Sequence, residues 1–240
     1  MIKKIFTKLL LRINRVLYVE NQKLRKNRIV IDLLNENAAK MAANYIGERL
    51  STSLIFNGKR ELWDFVIEKL DRDNNYGVCL EFGVYKGASL NYFASKLRKC
   101  QFFGFDSFLG LSTDWVGTSH GAGSYTAQIP VHLPQNVELI SGFFDTSLPK
   151  FALRSDVNWG DIKFVHVDCD TYDATSEVLN LLGNIEEFDF LILFDDFFEG
   201  VCWWEGQKKA FHEWQKEKEV NSVPLGFSSQ QALFRVRRGL

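Results

Sequence analysis

Two short runs of the chain end in acids. FVHVDCDTYDAT (164–175) leads four mostly apolar residues into Asp168, Asp170 and Asp173, and LFDDFF (193–198) closes an apolar run with Asp195 and Asp196. Carboxylates are seldom buried unless something pairs with them. If the two runs are neighbouring parallel strands, Asp168, Asp195 and Asp196 converge at one sheet edge, and three such charges need a counter-charge. A hard divalent cation with oxygen ligands supplies one; Mg²⁺ would keep several waters and leave positions for substrate oxygens. The alternative is separate roles, with Asp170 and Asp195 capping helices or paired to Lys or Arg. Position along the chain singles out Asp168 as a metal ligand. It assigns Asp170 to capping or supporting the following helix, and Asp173 to that helix's first turn, where the dipole stabilises a negative charge.

A second group lies upstream. LEFGVYKGAS (80–89) sets Glu81, Gly83 and Gly87 in the order E-x-G-x-x-x-G. Such glycines permit a tight strand-to-helix turn and close approach of a ligand to the backbone. A dinucleotide would place its pyrophosphate over this helix N-terminus, where an acid repels it, whereas S-adenosylmethionine carries an ammonium and a sulfonium that an acid attracts. Nineteen residues after Gly87, GFDSF (104–108) offers Asp106 as an acceptor for two ribose hydroxyls, or as a turn or cap residue. SGFFDTSLP (141–149) offers Phe143 and Phe144 as walls for an adenine ring or as core. His166 reads as a satisfied core histidine, and His120 and His132 as outlying proton acceptors beside Asp168.

The elements that must position these residues follow from the apolar pattern. The runs 77–82, 101–105, 137–140, 162–167 and 188–194 are short and apolar on both faces, as in a largely parallel sheet. Helix-length segments separate several of them, which predicts a Rossmann-like, doubly wound α/β domain. The runs VNSVPLGF (220–227) and QQALFRVR (230–237) are joined too closely for a crossover, so they predict an antiparallel hairpin at a sheet edge. Residues 29–70 look helical throughout. The segment 112–135 is rich in Gly, Ser and Thr and lacks helical periodicity, so it is a candidate lid or substrate loop.

The 240 residues, 46% hydrophobic, suffice for one main domain, 51–240, with a small appendage, 1–50. Four dispersed cysteines without a CxxC pair argue against a zinc cluster or a disulfide framework and for a reducing, cytoplasmic location. The net charge of −1 is unevenly spread: residues 1–28 carry nine Lys or Arg against Glu20 alone, so that segment is +8 and the remaining chain −9. Apolar residues recur there at helical spacing between the basic ones, which predicts an amphipathic helix. It either packs on protein, a sister subunit of a homodimer included, or rests on an anionic membrane at its inner face. A signal peptide and a spanning helix are both excluded by the interrupting Lys8, Arg12 and Arg15. The acidic main domain, without an N-P-P-[YF] motif, disfavours nucleic acid.

LEFGVYKGAS, GFDSFLGL, VELISGFFDTSLP, FVHVDCDTYDAT and LILFDDFF together resemble the successive motifs of class I S-adenosylmethionine-dependent O-methyltransferases, particularly the macrocin O-methyltransferase type acting on antibiotic sugars, over about residues 55–237. The first motif also resembles catechol O-methyltransferase. That likeness implies that Tyr85 and Ser89 touch the methionine end of the cofactor, and that Asp168, Asp195 and Asp196 hold Mg²⁺. The macrocin likeness makes Asp168 a general base as well. The irregular 112–135 segment and the N-terminal 50 residues depart from the pattern, and substrate elements come from such regions. The expected activity is methyl transfer to a hydroxyl of a sugar or other small-molecule or glycan acceptor. The rivals are an NAD(P)-dependent oxidoreductase on a similar sheet and a catalytically inactive methyltransferase-like binding module.

Overall fold

The computed structural model describes the backbone of residues 2–239 and the side chains of residues 12–18, 20 and 29–239. The chain divides into residues 1–43 and 44–240.

The first unit is part of one helix, α1 (Ile2–Gly47). Among its described residues Ile13, Val16, Leu17 and Tyr18 are exposed. Most of the predicted basic stripe, residues 1–11 and 21–28, lies outside the described side chains.

The second unit departs from a helix running unbroken to residue 70. Turns follow α1, then the two-residue strand β1 (Leu54–Ile55) and α2 (Lys59–Arg72). α1 stops at Gly47, and Gly58, in an extended conformation, is the N-cap from which α2 starts afresh. The stripe Leu62, Val66 and Leu70 recurs every four residues and is fully buried, each residue contributing about 1.5–3 kcal/mol over exposure. Beyond it come β2 (Val78–Phe82), α3 (Ala88–Lys96), β3 (Gln101–Asp106), β4 (Val137–Ser141), α4 (Phe144–Ala152), β5 (Ile162–Val167), α5 (Tyr172–Leu182), β6 (Phe188–Phe194), α6 (Gln207–Lys218), β7 (Asn221–Phe227) and β8 (Ala232–Arg238).

Eight strands form one sheet in the order β1-β7-β8-β6-β5-β2-β3-β4. β2 to β6 run parallel to one another, and β8 alone is reversed, pairing antiparallel with both β6 and β7. The expected Rossmann-like sheet with its C-terminal hairpin is what forms. β1, which sequence reading had placed inside a helix, extends the hairpin edge by pairing parallel with β7. The central strands are buried along their length, which explains their unbroken apolar runs.

In an open parallel sheet of this kind, ligands bind beyond the carboxyl ends of the strands. Three backbone bonds draw those ends together here: Gly83 N donates to Phe105 O, Asp168 N to Phe82 O and Asp195 N to Val167 O, all within 2.8–2.9 Å. The glycine turn after β2 and the acids after β5 and β6 therefore share one edge.

Candidate active site

Gly83 is fixed by the neighbouring strand. It adopts φ +94°, and a Cβ there would lie 1.6 Å from the Asp168 carbonyl oxygen, so no other residue lets β2 and β5 close at this point. Gly87, at φ +77°, is the N-cap of α3. Its missing Cβ leaves room for Pro130, whose ring carbon would stand 3.2 Å from it. The segment around Pro130 and Leu133 thus lies over the glycine turn.

That segment belongs to 112–135, which forms neither helix nor strand and is instead tied to itself and its approach. Trp115 N donates to His120 O at 2.9 Å, Leu111 N to Ser124 O at 2.9 Å, and Ala122 N to Asp114 Oδ1 at 2.9 Å. Tyr125 packs edge-on against Tyr85 at 6.1 Å between ring centroids. Tyr85 is 40% exposed at φ +49°, an uncommon backbone state for a tyrosine, and sits where a ligand in the turn would meet it.

Asp106 closes the same turn. Its Oδ2 accepts from Val84 N at 2.9 Å and Tyr85 N at 2.7 Å, and its Oδ1 from Phe108 N at 2.7 Å. Three of the roughly four acceptor positions of a carboxylate are thereby filled. Asp106 thus shapes the turn, the turn role the sequence also offered, and keeps acceptor capacity for a ribose hydroxyl. Phe143, 36% exposed, is the N-cap of α4, and Phe144 packs edge-on to Phe82 at 5.8 Å. Phe143 is the one left available to a ring.

Glu81 and Ser89 are placed differently from the expectation. Glu81 is 1% exposed and faces α3, where Ser89 Oγ donates to its Oε1 at 2.9 Å. Its Oε2 lies 3.1 Å from His166 Nδ1, and His166 Nε2 lies 3.6 Å from Asp195 Oδ1, an ion-pair rather than a hydrogen-bond distance. Burial by itself would push the imidazolium down, but Asp195 and Glu81 on either side outweigh it and raise its pKa to about 10. The two carboxylates thus favour the charged form of the core histidine. Its charge compensates Glu81, so the electrostatic argument that Glu81 repels a pyrophosphate and attracts a sulfonium does not hold.

Asp195 completes this buried row. It is 4% exposed, its Oδ2 accepts from Lys59 Nζ at 2.6 Å, and Gln231 Nε2 donates to its Oδ1. Burial raises its pKa, but His166 and Lys59 outweigh that and hold it well below the usual carboxylate range. Sequence reading missed Lys59, Gln231 and Gln207, none of which stands in a motif. The one visible signal was polar Gln207 and Gln231 at the margins of apolar segments. Gln207 is fully buried and ties two strand ends together: its Oε1 accepts from Asp196 N at 3.0 Å and its Nε2 donates to Val167 O at 3.2 Å.

Among the described residues, Asp168, Asp170 and Asp196 gather with one oxygen from each inside a 4.8 Å span and with no salt bridge to a lysine or arginine, although His166 and Lys59 act on them at longer range. Asp170 does not cap α5; Thr171 does, accepting from Ala174 N at 3.2 Å. Instead Asp170 takes φ +62° and turns toward Asp196 and Asp168. Burial, then the charge of Asp168, pushes its carboxyl up to about 7. Burial first and neighbouring carboxylates second drive Asp168 and Asp196 well above the usual range. Asp196 Oδ2 is buried with no hydrogen-bond partner. Crowded hard oxygen donors, one of them orphaned, fit a divalent cation. His166, Asp168 and Asp195 form a second close group, but Lys59 and Gln231 already engage Asp195. Asp173 sits in the first turn of α5, as the dipole argument requires.

A cleft of about 230 Å³ opens on Asp170 and Asp196, with Asp114 and Trp115 from the 112–135 segment, Trp203 and Lys209 among its other walls. Neither His120 nor His132 lines it.

Residues 80–197 match the protein family described as "Methyltransferase domain". No curated protein matches the chain. Among solved structures, the O-methyltransferase NovP shares 18% identity at a TM-score of 0.54, covering 74% of this chain and 78% of that one. The O-methyltransferase from Bacillus cereus in complex with SAH shares 12% identity at a TM-score of 0.51, covering 86% of this chain and 91% of that one. Both likenesses concern the fold. The family match spans the glycine turn and both acid-bearing strand ends, so over residues 80–197 the chain is similar to methyltransferase domains.

Proposed function

We propose that the chain is an O-methyltransferase that transfers the methyl group of S-adenosylmethionine to a hydroxyl of a small-molecule or glycan acceptor. The observation that carries the reading is the acid-lined cleft at the same sheet edge as the glycine turn. Methyl transfer needs the sulfonium carbon and the nucleophile held in line, and the two halves of this edge offer one position to each. Tyr85, Gly83, Gly87 and Phe143 border the cofactor half. Glu81 and Ser89 support it from within, by holding the floor of the turn.

An alcohol is a weak nucleophile near neutral pH, so its proton must be taken. Asp170, which lines the cleft, would accept it, with Asp168, the base implied by the resemblance, beside it in the acid group. Asp168, Asp170 and Asp196 would hold a divalent cation such as Mg²⁺. That cation, when bound, supplies the positive charge that makes a hydroxyl more acidic. This ligand set exchanges Asp195 for Asp170 relative to the expectation, because Asp195 is already engaged by Lys59, His166 and Gln231. The half-buried indole ring of Trp115 suits a sugar, whose C–H faces pack on aromatic rings, in line with the resemblance to sugar O-methyltransferases.

The basic segment 1–28 is read as a contact with an anionic membrane surface, on the strength of its charge and of exposed Ile13, Val16 and Leu17 beside Arg12 and Arg15. No helix among the described residues is long and apolar enough to cross a membrane.

The test is mass spectrometry of sugar nucleotides and lipid-linked glycans after incubation with methyl-labelled S-adenosylmethionine, with and without EDTA. An added labelled methyl on an acceptor oxygen, lost with EDTA, supports the reading. Cofactor binding with no methylated product from any acceptor supports the inactive-module alternative instead.

A further inference from the structure

Lys59 is the first residue of α2, in a stretch that carries none of the sequence motifs. Its ammonium lies 2.6 Å from Asp195 Oδ2; the lysine side chain is 44% exposed and that of the aspartate 5%. The other oxygen of Asp195 is met by the Gln231 amide and faces His166. Donors or cations from three separate parts of the chain thus engage this one carboxylate. Asp196, the next residue, has the opposite surroundings: its backbone N–H is fixed by Gln207, while its Oδ2 is buried and orphaned. Two adjacent acids of the same strand end have therefore been sorted, one to an internal cation and one to the cleft.

We propose that Lys59 is a positioning residue, a tethered monocation that holds Asp195 in the buried row with His166 and Glu81, confines a divalent cation to Asp168, Asp170 and Asp196, and weakens that cation's binding. The inference rests on reading the three acids as a cation site. Its physical basis is that an ammonium beside a carboxylate cluster repels a dication entering the cluster. The repulsion is moderated because the lysine is partly in water. Asp195, in turn, gains nothing by rotating toward the dication while its own charge is already compensated.

The test is calorimetric titration of Mn²⁺ into the full chain and into Lys59→Gln, Lys59→Arg, Asp195→Asn and Asp196→Asn, with S-adenosylhomocysteine titrated separately into each. Lys59→Gln should bind Mn²⁺ on the order of tenfold more tightly than the wild type, and Lys59→Arg about as the wild type does. Asp195→Asn, which removes a nearby charge but no ligand, should weaken Mn²⁺ several-fold less than Asp196→Asn, which should weaken it by more than about tenfold. Mn²⁺ binding to Lys59→Gln that is unchanged or weaker overturns the proposal, as does loss of Mn²⁺ by Asp195→Asn to the extent seen for Asp196→Asn. Failure of Mn²⁺ to bind either the wild type or Lys59→Gln overturns it too. The titrations separate the two ideas: absence of S-adenosylhomocysteine binding alone contradicts methyl transfer, and a wrong Mn²⁺ ranking alone contradicts the role of Lys59.

Discussion

Replacing His166 by Asn removes the cation from the centre of the buried row while leaving a side chain of similar reach. Glu81, 1% exposed, then keeps only the Ser89 hydroxyl at 2.9 Å, whereas Asp195 keeps Lys59 at 2.6 Å. Removing one partner of a buried ion pair costs about 3–5 kcal/mol, and because one of the two acids remains paired the lower end applies, about 3 kcal/mol. With a urea dependence of about 3 kcal/mol per molar for a chain of this size, the unfolding midpoint should fall by about 1 M. Glu81→Gln in the same chain removes the stranded charge, so the double variant should recover at least about 1.5 kcal/mol relative to additivity. The pH dependence has a definite sign. The His166 pKa is raised from 6.5 to about 10, so its contribution is complete below pH 6.5 and is lost as pH rises toward 10. The wild type should therefore lose stability across that window and His166→Asn should not. A loss under about 1 kcal/mol, or additive single changes, would refute a charged histidine.

Other outcomes follow from the same geometry. Folding raises the carboxyl pKa of Asp170 from 3.8 to about 7, so the metal-free protein should lose stability as pH climbs through that interval. Mg²⁺ should consequently raise the melting temperature more at pH 8 than at pH 5, as a thermal scan would show. Gly83→Ala places a methyl 1.6 Å from the Asp168 carbonyl at φ +94° and should cost more than about 2 kcal/mol by urea unfolding, together with cofactor binding. Deleting residues 1–28 should abolish co-sedimentation with anionic vesicles and leave neutral vesicles unaffected; equal sedimentation of both forms would sink the membrane contact.

The fold was legible because its signals are local. Five apolar runs, each short and free of alternation, mark strands buried on both faces, and the close spacing of VNSVPLGF and QQALFRVR marks the hairpin. β1 escaped because two residues carry no periodicity; its pairing with β7 is a long-range fact. The acids at the sheet edge were legible in the sequence, and their separate roles were not. Asp168, Asp170, Asp195 and Asp196 do meet at one edge, but which of them face the cleft is decided by residues far away in sequence. Lys59 precedes Asp195 by 136 residues and Gln231 follows it by 36, so nothing near LFDDFF announces that Asp195 is taken. Asp170 was assigned as a cap because strand-end aspartates commonly cap; Thr171 performed that role and left Asp170 free to turn inward. Glu81 was read as facing a ligand because its motif does, whereas its side chain lies on the face covered by α3, beside its cross-strand partner His166.

The central claim is that the glycine turn serves S-adenosylmethionine. Calorimetric titration of the full chain with S-adenosylhomocysteine, and separately with NADH, tests it most directly. The account predicts one S-adenosylhomocysteine bound per chain and no binding of NADH; NADH binding with none of S-adenosylhomocysteine would contradict it.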